Sequence, residues 1–175
     1  ESLDLEILNT GIKETQTSSD GTITYVWRAE DQPAVKKEES LPPWHPFNPA
    51  VFISTSDWKP YARTVRDYLL AATKDQPEAA KLAERLTYGM RKEHSKAIAI
   101  RDWMAENIRG AGPGLTSLPL DAITPADQTL ADRYGNNPDR MVLLYTLLKA
   151  AGFKPAFILS GGIPYIPEAA EPLLG

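Results

Sequence analysis

The stretch from Asn137 to Gly152 constrains this chain more than any other. Met141, Val142, Leu143, Leu144, Tyr145, Leu147 and Leu148 put apolar side chains on most sides of a helix rather than along one stripe. A helix of that kind has no face to give to water, so other elements must pack around it. Asn137-Pro138-Asp139 opens it. Asn137 is the expected N-cap, its side-chain oxygen facing the amide of Asp139 or Arg140, and Asp139 complements the positive helix end. Arg140 is expected to pair with a nearby carboxylate. Gly152 is the expected left-handed stop.

The shell for this helix is also helical. Ser54-Thr55-Ser56-Asp57 offers a cap and Pro60 falls in a first turn, after which Trp58, Tyr61, Val65, Leu69 and Ala72 recur on one face. Leu82, Leu86 and Met90 mark a second helix after Pro77. Ser95, beside His94, is expected to cap a third, with Ala97, Ile100, Met104 and Ile108 on its buried stripe. A Gly- and Pro-rich loop runs from Gly110 to Pro125. Phe157-Ile158-Leu159 reads as a short buried strand after the central helix, ended by Gly161-Gly162. Left unpaired, such a strand exposes a row of N–H and C=O groups, which points to self-association through residues 155–160 unless residues before Pro42 or after Gly162 cover that edge.

The first part of the chain has the period of strands. Leu3, Leu5 and Ile7 alternate with polar residues, as do Ile23, Tyr25 and Trp27 after the hairpin signal Ser18-Ser19-Asp20-Gly21. Glu30-Asp31-Gln32-Pro33 is a second turn signal. Of the 15 prolines, a dense group lies in Leu41-Pro42-Pro43-Trp44-His45-Pro46-Phe47-Asn48-Pro49 and reads as a stiff linker. The fold expected is therefore α/β in the α+β sense. A β-rich segment spans 1–40, a proline linker 41–53 and a helical domain 54–175.

Composition removes whole classes of chemistry. The chain has no cysteine, which excludes thiol catalysis, thiolate metal sites and disulfides. Its 2 histidines, His45 and His94, come from different regions, so neither a metal site nor a cofactor is expected. A net charge of −4 without a concentrated basic face argues against nucleic acid. No apolar run approaches the roughly 20 residues that span a bilayer. The acidic pairs Asp121 with Asp127 and Glu84 with Glu93 have nothing ordering them around a nucleophile and read as surface.

Residues 126–140, Ala-Asp-Gln-Thr-Leu-Ala-Asp-Arg-Tyr-Gly-Asn-Asn-Pro-Asp-Arg, followed by Leu143-Leu144 and Leu147 to Phe153, resemble the nucleophile region of bacterial transglutaminase-like proteins, which have a papain-like fold. Lys96 to Arg109 is similar to the helix that precedes that region. Residues 22–58 resemble the end of the uncharacterised β-sandwich domain that commonly stands before it. The resemblance covers roughly residues 20–162. It implies a periplasmic or secreted setting and a cleft to which Asn136, Asn137, Asp139, Arg140, Trp103 and Tyr134 contribute. Trp103 and Tyr134 could line such a cleft, yet large aromatics beside Met104 and Ile108 are usually core, and that is the reading expected of them.

The catalytic residues depart from the family pattern. Active members place cysteine two residues after the glycine matching Gly135, and here that residue is Asn137. The family's histidine and aspartate stand on strands after the central helix, yet no histidine follows His94 and Asp139 is the one aspartate after the helix begins. Removing a triad nucleophile costs about 10⁶ in kcat in a well-studied hydrolase. The expectation is a degenerate, non-catalytic domain acting as a binding or scaffold module for peptide or cell-envelope material. One alternative is a fragment or divergent member of an enzyme whose catalytic residues lie outside this chain. A second is an assembly domain.

Overall fold

The structure is a computed structural model that describes residues 4–8, 13–31, 50–54 and 58–159, and it divides into two compact units just before Trp58. The class is α+β and mainly helical. The first unit contains β1 (Asp4–Leu8), β2 (Thr15–Ser19), β3 (Thr22–Val26) and β4 (Ala50–Ser54). β2 and β3 form an antiparallel hairpin in which Ser19 faces Thr22. Asp20 and Gly21 both take positive φ, 53° and 75°, the geometry of a two-residue turn whose twist matches the strands. Tyr25 and Trp27, two apart and so on one face, stack with ring centroids 6.1 Å apart.

β1 pairs antiparallel with β4, Leu5 opposite Ile53 and Ile7 opposite Val51. Residues 50–53, expected as the end of the proline linker, are therefore strand, and Ser54 ends that strand instead of opening a helix cap. The reason is local: Val51-Phe52-Ile53 is a β-branched and aromatic run with no proline in it. Residues 41–49 and the expected cap at 55–57 lie outside the described residues, as does the tail from residue 160.

The second unit runs through α1 (Trp58–Ala71), α2 (Pro77–Thr87), α3 (Glu93–Asn107), β5 (Arg109–Gly110), two 3₁₀ turns (Leu115–Ser117 and Leu120–Ala122), α4 (Ala126–Asp132), β6 (Tyr134–Gly135) and α5 (Asn137–Ala150). Helix α5 touches α1, α2, α3 and α4. This is the central position that its all-round apolar surface demands. Val142, Leu143 and Leu147 are completely buried with Ile100, Ala79, Ala83 and Ala126 around them. Each such aliphatic side chain contributes about 1.5–3 kcal/mol on burial.

The end of α5 follows its sequence closely. Gly152 takes φ 96°, its N–H donates to the Lys149 carbonyl, and the Phe153 N–H donates to that of Leu148. This pair of bonds is a Schellman stop. Helix α3 departs from expectation by starting at Glu93, with Lys92 at the cap position and no side-chain cap bond. Ser95 and the exposed His94 thus lie inside its first turn, where Glu93 complements the helix dipole.

Residues 153–159 are not a strand. Phe157 packs on the core and stacks on Tyr145, ring centroids 4.5 Å apart, while Ile158 is 89% exposed. An apolar triplet becomes a strand only when a neighbour takes up its backbone bonds, and no described strand pairs with it. The strand edge expected at 155–160 is therefore not formed over 155–159.

Candidate functional site

The start of α5 is tied to the loop in front of it by short, buried bonds. The N-cap is Asn136, one residue earlier than Asn137. Its side-chain oxygen accepts from the Asp139 N–H at 3.0 Å, and Asp139 Oδ2 accepts from the Asn136 N–H at 3.2 Å. This reciprocal pair is a capping box with Asn and Asp in the two roles. The other oxygen of Asp139, Oδ1, accepts from the Thr124 N–H at 2.8 Å. Both carboxylate oxygens are engaged by backbone, and Asp139 is 6% exposed. Asp139 does complement the helix end, but its main work is to fasten residues 124 and 136 together.

Moving the cap to Asn136 puts Asn137 at the first helical position and Pro138 at the second, where proline's missing N–H costs nothing. The side chain of Asn137 is consequently exposed and free of any cap role. The sequence carried a signal for this register. Asn136-x-x-Asp139 has the capping-box spacing, whereas Asn137-x-x-Arg140 does not.

Gly135 makes the close approach possible. A Cβ there would meet the Cβ of Asp139 at 2.9 Å and Thr129 Cγ2 at 3.1 Å. In front of it, β5 and β6 pair in parallel, the Arg109 N–H donating to the Arg133 carbonyl and the Ala111 N–H to that of Gly135, both at 3.0 Å. Arg140 lies against this short ladder: a Cβ on Gly110 would stand 3.1 Å from Arg140 Nη1. Its Nε is buried without a hydrogen-bond partner, and no ion pair to it occurs among the described residues. The expected Arg140–carboxylate pair is not formed, because the nearest candidate in its own turn, Asp139, is occupied by amides.

Of the six residues expected in one cleft, the structure joins Asn136 to Asp139, with Asn137 and Arg140 on the same turn. Tyr134 is 56% exposed on β6, opposite Arg109. Trp103 is elsewhere, on α3, with the Arg133 guanidinium 5.4 Å above its ring. The cavity bordered by Asn136 and Pro138 holds about 10 Å³, room for one water. No group of His, Cys, Asp and Glu able to hold a metal ion occurs among the described residues.

A larger space opens between α2, α3 and α4. This groove, about 580 Å³, has Leu82, Leu86 and Leu130 on its floor, with Trp103, Arg85 and Arg133 at its sides. Glu78 and Asp127 also border it. Asp127, read from sequence as a surface acid, is half-buried and accepts from the N–H groups of Glu78 at 3.0 Å and Ala79 at 2.8 Å. It caps α2 from another helix, while Gln76 Oε1 accepts from the Asp127 N–H at 2.7 Å. Glu78 is paired with Lys81 at 2.7 Å. The hydrogen bond from Lys81, and then its charge, hold the Glu78 carboxyl below its ordinary range.

No family model and no curated protein matches the chain. No helix among the described residues is long and apolar enough to cross a membrane. Among solved structures, the chain is similar to one described as that of a putative protease from Parabacteroides distasonis ATCC 8503, with a TM-score of 0.64 and 24% identity. The match covers 86% of this chain and 30% of that one. At that identity the likeness is one of fold: this chain shares its architecture with about a third of that protein.

Proposed function

We propose that this chain is a non-catalytic, transglutaminase-like domain that serves as a binding or scaffold module for peptide or cell-envelope material. One observation carries the reading. The first residue of the buried central helix, where the resembled family holds its thiol, is Asn137, and the only carboxylate in that turn is fastened to two backbone amides. A carboxamide is neither a nucleophile nor a base at neutral pH, so this helix start offers hydrogen bonds and no covalent step. The fold shared with part of a protease-named protein supports an ancestry among such domains. The test is Asn137→Cys. Peptide and glutamine hydrolysis should stay at the level of the unaltered chain; hydrolysis above it that a thiol alkylator abolishes would overturn the reading.

A second reading is favoured by the 30% coverage of the neighbour: the chain is one part of a longer enzyme whose reactive groups lie outside it. Under that reading the longer protein hydrolyses peptides while these 175 residues alone do not. Assaying both, side by side, separates the two.

A further inference from the structure

The groove between α2, α3 and α4 shares no lining residue with the start of α5. We infer that it is a binding site for a peptide segment carrying both acidic and apolar side chains. The volume, about 580 Å³, is that of a site for a few side chains rather than a packing defect. Its floor comes from an ordinary helical spacing: Leu82 and Leu86 are four apart on α2 and stack along one face, and Leu130 of α4 completes it.

The charges at its border are not equivalent. Asp127 is committed to the amides of Glu78 and Ala79, and Glu78 shares an exposed ion pair with Lys81. The two arginines have no such partner. Neither Arg85 nor Arg133 makes an ion pair among the described residues, although the charge of Arg85 is felt at Glu78. Guanidinium groups offer planar forks that match a carboxylate in two hydrogen bonds.

Arg133 ends α4 in the left-handed conformation, φ 62°, and its guanidinium, on an exposed residue, lies over the Trp103 ring at the side of the groove. Asn107 adds a neutral acceptor: its Nδ2–H donates to the Trp103 carbonyl at 2.9 Å, and its Oδ1 has no partner among the described residues. Cationic forks, a carbonyl-type acceptor and an apolar floor together suit a peptide, which brings carboxylates, backbone N–H groups and aliphatic side chains. A nucleic acid strand needs successive rings to stack on and a basic track for its backbone, and the groove offers one aromatic ring and two arginines.

The experiment is to pan a random seven-residue peptide library, displayed on phage, against the full chain, and then to measure enriched sequences as labelled synthetic peptides by fluorescence anisotropy. The expected sequences combine Asp or Glu with Leu, Ile or aromatic residues. Replacing each acid in them by its amide should weaken binding to the unaltered chain about tenfold, the scale of losing a charge-assisted hydrogen bond. The double variant Arg85→Gln/Arg133→Asn should weaken binding at least as much, asparagine being chosen because it tolerates the left-handed backbone. No enrichment, enrichment of sequences without acids, or undiminished binding of the amide peptides would each overturn the inference. So would undiminished binding by a double variant with unchanged circular dichroism. None of these outcomes depends on what Asn137→Cys does.

Discussion

Asp139 is the residue on which the start of the central helix depends most, and its removal should be costly in a calculable way. Its carboxylate accepts from the N–H groups of Thr124 and Asn136, and it is 6% exposed. Asp139→Ala leaves both donors behind, the second of them buried, with no side chain to replace the acceptor. An unsatisfied buried donor costs about 1–3 kcal/mol, so the pair amounts to roughly 2–5 kcal/mol, a large share of a typical domain's stability. Asp139→Asn keeps one carbonyl oxygen and loses one bond, for roughly 1–3 kcal/mol. Asn136→Ala, which removes the cap while leaving the carboxylate, should cost about 1 kcal/mol, and Asn137→Ala should lie within about 0.5 kcal/mol of the unaltered chain. Urea titrations followed by circular dichroism measure the series, provided the slope stays constant. An Asp139→Ala variant as stable as its parent would refute the account. So would Asn137→Ala costing more than Asn136→Ala, since the cap would then be the later residue.

Gly135→Ala should lose roughly 1–3 kcal/mol, because the new methyl meets Asp139 Cβ at 2.9 Å and must displace it or Thr129; a calorimetric melt within a degree of the parent would contradict this. Asp127→Ala should lower stability by about 1–2 kcal/mol through loss of the α2 cap, and faster amide exchange at Glu78 and Ala79 identifies the cause. Glu78, held below its ordinary carboxyl range by Lys81, contributes its pairing above that range and loses it as pH falls through its folded-state midpoint. A carboxyl NMR titration should show that midpoint rising in Lys81→Met; an unchanged midpoint would remove Lys81 as the cause.

What was legible in the sequence was whatever a single element decides for itself. The all-apolar run of α5 demanded a central place, and Gly152 its stop. The period of Val65 and Leu69 set a buried face, and Asp20-Gly21 a hairpin turn. The failures are of another kind. Asp127 serves α2 from 48 and 49 positions away, and no local spacing announces a cap supplied by a different helix. Phe157-Ile158-Leu159 has the composition of a strand, but a strand exists only with a partner, which a triplet cannot specify. The groove is assembled from three helices, and Arg133 joins it through a left-handed residue that periodicity treats as a break. Only the cap register was within reach, since the spacing of Asn136 and Asp139 is a local signature.

The null result expected for Asn137→Cys follows from the same bonds. Position 137 is the first helical residue and is exposed, so a thiol there would feel the positive helix end, an effect of about 0.3–1 kcal/mol at an exposed site. One pKa unit corresponds to about 1.36 kcal/mol, so the dipole alone brings an ordinary thiol from about 8.5 to roughly 8, leaving about a tenth as thiolate at pH 7. Among the described residues no base stands ready to deepen that. Asp139 is held by two amides, and His94, the described histidine, is exposed in the first turn of α3. Arg140, on the same turn, lies over Gly110, where a cation can stabilise a thiolate but cannot take up a proton. The pH dependence of iodoacetamide alkylation of the variant reads the thiol directly. A midpoint near 8 with no hydrolysis is the expected result. A midpoint well below 7 would mean that Arg140 or an unidentified group activates the position, and the account of this helix start as unable to ionise a thiol would then fail.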